Sequence, residues 1–309
     1  NDGAWLLQDV PLEELIDFKK NLPEGGDTGI TIIGQNIDLN YWSPETTQTI
    51  ELSINRLQVQ YKKPQLNIEA IIDLPQEFGE QIEISTSLRV DATTNVSDNI
   101  LAIDARASFI NLDNLKPLTL WLPEKQRSIL DAFRPSGTVH EFQLRLTDLN
   151  SESFRFDLSV GLEEVGIRAR DQWPSVSGFS GWIHMNQSSG QIDIESNNLR
   201  LDMPEFFAAP IDFDDVLGTI IWRQNNDTTI ILSDEIHIKN ADLDMQSSLQ
   251  VSLSANGISP LIDIFSNWSI SNVSSISRYL PSKLMEPRLY AWFDNAFIAG
   301  RVPSGTTQF

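Results

Sequence analysis

The sequence predicts a mainly β protein, an elongated and curled antiparallel sheet with an apolar groove, built from repeated β units with a few short helices. Three observations point there. Most of the chain alternates apolar and polar residues with a period of two. The alternation changes phase inside segments too long to be broken by turns. A spaced leucine–proline pattern recurs three times.

The alternation is cleanest at Phe154, Phe156, Leu158, Val160 and Leu162, with Arg155, Asp157, Ser159 and Gly161 between them. It recurs at Ile82, Ile84, Leu88, Val90 and Ala92, and over 66–74, 101–109, 142–146, 191–203, 236–238, 243–245 and 249–253. Period two places all apolar side chains on one sheet face and polar ones on the other. Such strands are antiparallel and half-solvated, unlike the continuous apolar runs of buried parallel sheets. Ile50, Leu52 and Ile54 hold even positions, whereas Leu57, Val59 and Tyr61 hold odd ones. An extra residue near Asn55–Arg56, a β-bulge, keeps both halves on one face and adds twist. Val139 followed by Phe142, Leu144 and Leu146 predicts a second bulge.

Proline and capping residues predict helical insets near 11–22, 124–133, 260–267 and 274–297. In the last, Leu289, Trp292, Phe293 and Ala296 follow Pro287 at helical spacing and Gly300 is the stop. The pattern apolar-x-x-apolar-x6-Leu-Pro occurs three times at identical spacing. Its copies are Leu12, Leu15, Leu22–Pro23; Leu112, Leu115, Leu122–Pro123; and Ile270, Val273, Leu280–Pro281. Past the second and third copies, Asp131-Ala132-Phe133 with Gly137-Thr138-Val139 parallels Asn295-Ala296-Phe297 with Gly300-Arg301-Val302. Repeated units contact their neighbours in turn instead of surrounding one centre. Residues 1–309 therefore read as one continuous segment with a sub-boundary near 135.

Few short helices cannot cover the apolar face of about a dozen strands. A second sheet, a closed barrel or a trough holding a foreign apolar molecule all satisfy the pattern, and a β-sandwich is the alternative fold. The trough reading takes as candidate lining Ile50, Leu52, Ile54, Leu57, Val59, Leu66, Ile68, Ile82, Ile84, Leu88, Val90, Leu101, Ile103, Phe142, Leu144, Leu146, Phe154, Phe156, Leu158, Val160, Ile192, Ile194, Leu249, Val251 and Leu253.

Composition narrows the chemistry. With 22 Lys+Arg against 43 Asp+Glu the net charge is −21, which repels phosphate backbones, so nucleic acid is excluded as a partner. The chain has no cysteine, hence no disulfide and no thiolate chemistry. His140, His184 and His237 each sit on the locally polar phase of a strand, without metal-ligand spacing. Asp212, Asp214 and Asp215, and the pair Asp242 and Asp244, lack the calcium-loop pattern and read as a solvated face. Glu163 and Glu164 are adjacent on a strand, so they point to opposite faces and cannot pair as glycosidase carboxylates do. Ser177-Gly178-Phe179-Ser180-Gly181 departs from the nucleophile-elbow pattern because glycine follows Ser180 directly; it reads as a glycine-kinked strand turn. Neither enzymatic activity nor a cofactor is expected. Trp42, Trp173 and Trp182 offer a carbohydrate platform to the sandwich alternative. No signal peptide and no apolar run of transmembrane length occurs, and the opening Asn1-Asp2-Gly3 is expected of an internal piece of a longer chain.

One stretch carries a family likeness. Tyr279-Leu280-Pro281-Ser282-Lys283-Leu284-Met285, Leu289-Tyr290-Ala291-Trp292-Phe293, Asn295-Ala296-Phe297 and Gly300-Arg301-Val302 resemble the recurring unit of the AsmA-like envelope proteins, YhdP-type. Val176 to Gly181, Leu199 to Pro204 with Phe206-Phe207, and Gly218-Thr219-Ile220 are similar too. The likeness covers 173–309 well and the first 150 residues through the Leu-Pro repeats and strand character. It implies the periplasmic part of an inner-membrane-anchored Gram-negative protein, a groove carrying phospholipid or another acyl-chain lipid toward the outer membrane. Inner- and outer-membrane protein partners would follow.

Overall fold

A computed structural model describes residues 5–7, 10–11, 29–43, 48–62, 64–89, 100–114, 124–149, 154–169, 174–225, 227–254 and 259–309. It divides into two compact units: 1–122 with 140–159, and 123–139 with 160–309.

In the first unit β1 (Trp5–Leu7), β2 (Val10–Pro11), β3 (Ile30–Ser43), β4 (Gln48–Lys62), β5 (Gln65–Asp73), β6 (Gln81–Arg89) and β7 (Ile100–Asn111) form antiparallel pairs in the order β2-β1-β3-β4-β5-β6-β7. β8 (Ser136–Thr147) and β9 (Arg155–Ile167) are divided between the units. The second unit continues with β10 (Ser175–Asn186), β11 (Ser189–Asp202), β12 (Ile211–Asn225), β13 (Thr228–Lys239), β14 (Leu243–Ser254), β15 (Leu261–Ile270) and β16 (Val302–Gln308), each paired antiparallel with the next. Within each unit the strands belong to a single sheet, so the sandwich alternative has no second sheet among the described residues.

The phase changes are bulges. The β4–β5 register slips between Ile54 and Arg56, as the sequence predicts at Asn55. Asn36 lies opposite that point in β3 with φ 53. In β8, Glu141 has φ 47, a left-handed kink between Val139 and Phe142, where the sequence predicts the second bulge. Glu164 (φ 51) in β9 and Asn198 (φ 59) in β11 mark further kinks. Ser177 to Gly181 lies within β10: Gly178 (φ 76) and Gly181 (φ 156) flank a register shift, so the segment is a mid-strand bulge and not a turn.

Helix α1 (Glu124–Phe133) forms as predicted. The inset predicted over 274–297 is a 3-10 helix, Val273–Tyr279, followed by α2 (Pro287–Ala296). Glu286 Oε2 accepts the Leu289 N–H at 3.2 Å, and Pro287 occupies the first turn, where its missing N–H costs nothing. The helix predicted over 260–267 is instead β15. Ile262, Ile264, Trp268 and Ile270 share the even phase, and their pairing with β14 overrides the local proline signal. Of the helix predicted over 11–22, Pro11 ends β2 and the remainder falls outside the described residues.

Candidate functional site: the apolar sheet face

Cross-strand pairing assembles the alternating residues into rows. In the first unit, Ile32, Val59, Ile68, Thr86 and Ile103 lie side by side on β3 to β7. Ile37, Ile54, Ile72, Ile82 and Ala107 form a parallel row, and Tyr61, Leu66 and Leu88 another. Leu52 pairs with Leu39, Leu57 with Gly34 and Ala70, and Ile84 with Ala70 and Ala105. One end of this face closes on itself: Leu39, Leu52 and Phe78 are buried together, with Phe78 supplied by the β5–β6 connection. Leu101 is the extra residue where the β6–β7 register shifts. Phe142, Leu144 and Leu146 on β8 and Phe156 and Leu158 on β9 are half-buried, and Val160 is buried. Phe154 lies one residue before β9, exposed, its ring 6.3 Å from Phe156. The backbone of Ile50 sits opposite Tyr41, its side chain outside the described set, and Val90 lies wholly outside it.

The second unit shows how the face is covered, and where it is not. At one end, Leu199, Ile211, Phe213 and Val216 form a buried cluster, and Leu243, Ile270 and Val273 another. Tyr279 packs against both, with Ile276 and Phe297 against the second, so the inset roofs this end of the sheet. Tyr279 donates its hydroxyl to Asn240 Oδ1 at 3.0 Å. The same oxygen accepts the N–H groups of Asp242 and Leu243, while Asn240 Nδ2 donates to the Asp212 carbonyl at 2.8 Å. Burial raises the Tyr279 pKa, keeping it a donor beyond the ordinary value of about 10.

Beyond the roof the same face continues, and no described element covers it. Ile183, Ile192 and Ile220 form one row. Met185, Gly190, Trp222, Ile231, Val251 and Ile262 form the next. None of these is in the buried class. Ile194, Leu249 and Leu253 lie on this face as well, Leu253 exposed. The sequence reading names Ile192, Ile194, Leu249, Val251 and Leu253 but misses Ile183, Ile220, Trp222, Ile231 and Ile262, whose i, i+2 spacing was the available signal.

Between the covered and open parts lies one row in which four of six residues are small: Gly181, Ile194, Gly218, Ile236, Ser247 and Ser266; Ser196 and Ser233 flank it. Ser196 Oγ accepts the Ser180 N–H at 2.8 Å and donates to the Ser180 carbonyl at 2.9 Å. Ser180 Oγ accepts the Glu164 N–H, and Ser233 Oγ donates to the Thr219 carbonyl. Backbone groups at the bulges are thus satisfied by hydroxyls from the neighbouring strand.

The polar groups considered for chemistry are engaged elsewhere. His237 Nε2 lies 2.8 Å from Asp244, Asp212 pairs with Arg200 at 2.8 Å, and Arg278 reaches Asp242 at 3.5 Å. His184 stacks on Trp182, and His140 lies 5.6 Å from Phe109. No group of three or more His, Cys, Asp or Glu among the described residues is placed to hold a metal. Trp173 and the Trp42 side chain lie outside the described residues. Among them, too, no helix is long and apolar enough to cross a membrane.

Comparison with known proteins follows the same line. The chain is 22% identical over 216 residues to the intermembrane phospholipid transporter YhdP of Escherichia coli (strain K12), an alignment covering 69% of this chain and 17% of that protein. This chain thus matches about a sixth of the relative's length. No solved structure matches. The sequence profile of the YhdP protein family matches residues 35–309, and the chain belongs to the YhdP family.

Proposed function

We propose that this chain is a periplasmic segment of a bridge-like lipid transfer protein, and that its apolar sheet face carries the acyl chains of phospholipids between inner and outer membranes. The observation that carries this reading is the row Ile183–Ile192–Ile220 and its neighbour through Trp222 and Ile231, an apolar surface left half-exposed on a sheet with no second layer among the described residues. The similarity to a relative named as an intermembrane phospholipid transporter supports it. Exposed contiguous apolar surface of this kind marks a binding site.

Each methylene moved out of water gains about 0.8 kcal/mol, so a two-chain lipid crossing water unprotected faces a barrier on the order of 20 kcal/mol. A face of Ile, Val and Leu side chains lowers that barrier by replacing water along the path. Nothing reacts, so no catalytic residue or cofactor is needed, and the protein is not an enzyme. The headgroup stays at the open edge in water. In this reading the anchor in the inner membrane belongs to parts of the parent protein other than this chain, and membrane proteins at both ends would deliver and receive the lipid.

The test is extraction of the purified chain with organic solvent, followed by phospholipid analysis and titration with a fluorescent fatty acid. Co-purified phospholipid and saturable capture are expected. A chain carrying no lipid that leaves the fatty acid free contradicts the proposal.

A further inference from the structure

The inset that roofs one end of the second unit presents a different surface on its outer side. Helix α2 has no buried residue. Leu284 is 68% exposed, Leu289 47%, Trp292 57% and Ile298 85%. Trp292 is held edge-on against Phe293 at 5.1 Å and Phe297 at 6.0 Å, so the ridge is preorganised. Between Arg278 and Arg301 four basic side chains meet only two acidic ones, Glu286 and Asp294, in a chain of net charge −21. Lys283, Arg288 and Arg301 are exposed, and none is paired with a carboxylate among the described residues.

Apolar and tryptophan side chains rimmed by unpaired cations suit the boundary between headgroups and acyl chains. We propose that the 283–301 surface docks on anionic phospholipid membrane, with Leu284, Leu289 and Trp292 entering the interface and Lys283, Arg288 and Arg301 meeting phosphates. At about 0.1 M salt, charges beyond about 10 Å are screened, so the acidity of distant strands reaches this surface only weakly. This contact is separate from carriage on the inner sheet face and does not depend on it.

The experiment is sedimentation of the 309-residue chain with vesicles of phosphatidylcholine alone or with about a third phosphatidylglycerol. Binding to the phosphatidylglycerol vesicles is expected, with a blue shift of tryptophan emission that Trp292→Phe removes. The triple variant Lys283→Glu, Arg288→Glu, Arg301→Glu is expected to bind at least about tenfold more weakly. Its circular dichroism and its capture of fluorescent fatty acid should be unchanged, which separates this surface from the sheet face. Absence of binding, equal binding to phosphatidylcholine alone, or unchanged binding by the triple variant overturns the proposal. So does self-association of the chain that Trp292→Ser abolishes, since the ridge would then belong to a second copy.

Discussion

Ser196 is 0% exposed and bonds both the N–H and the carbonyl of Ser180, at the point where β10 slips register against β11. Removing its hydroxyl leaves two backbone groups in an apolar setting without partners, each costing about 1–3 kcal/mol. Ser196→Ala is therefore expected to destabilise by about 2–4 kcal/mol in urea unfolding, against less than about 0.5 kcal/mol for Ser85→Ala on the exposed face. Equal effects would show that the bulge does not need the serine. This residue was invisible in the sequence, where a serine inside an apolar phase reads as a break in the pattern. Its role exists only once the bulge has freed the groups it satisfies. Gly190 illustrates the same limit: a methyl there would meet the indole of Trp222, a contact between adjacent strands that spacing along the chain does not reveal.

At the scale of elements, the strands were legible and the reason is geometric: one side of each is wet, so the period of two survives in the sequence. The bulge at Asn55 was legible because an inserted residue must switch the phase. β15 was misread because Pro260 and a short apolar run carry no information about the neighbouring β14 ladder. The roof was legible as a helix but not as a roof. Its attachment rests on Asn240, which holds Tyr279 and the β13–β14 turn together. Asn240→Ala is expected to cost about 2–3 kcal/mol and Tyr279→Phe about 1 kcal/mol, with faster amide exchange confined to 270–302 in the milder variant. Because the folded state raises the Tyr279 pKa, its contribution is complete below the unfolded value of about 10 and declines as pH rises through the folded value. Protection of amides in 270–302, relative to the intrinsic base-catalysed exchange rate, should fall above pH 10 in the parent and change less in Tyr279→Phe. Protection in the parent that stays constant through this range would show that the hydroxyl does not hold the inset.

For the whole molecule, the question left open by alternation was what covers the apolar face. The same pattern of Phe154, Phe156 and Leu158 serves a sandwich, a barrel or a trough, since periodicity reports which side is apolar and not what lies against it. The single sheet within each unit removes the sandwich among the described residues, and the family match adds the context of lipid transport that no single motif contains. Leu158→Asp discriminates function from packing. On a lipid-carrying face it should reduce fatty-acid capture at least about tenfold while unfolding stability changes by less than about 1 kcal/mol. In a packed core it would cost several kcal/mol, as a buried charge does.

The two faces of the second unit each carry a tryptophan, on β10 and on β12, with β11 between them. Trp222 lies in the apolar row with Ile231, and Trp182 lies on the opposite face, paired with Asp193 and stacked on His184. Variants retaining one of these and replacing the remaining tryptophans by phenylalanine, loaded with phospholipid brominated along its acyl chains, report contact by quenching. Carriage on the apolar face predicts strong quenching of Trp222 and little of Trp182; equal quenching of the two, or an unquenched Trp222, would contradict it.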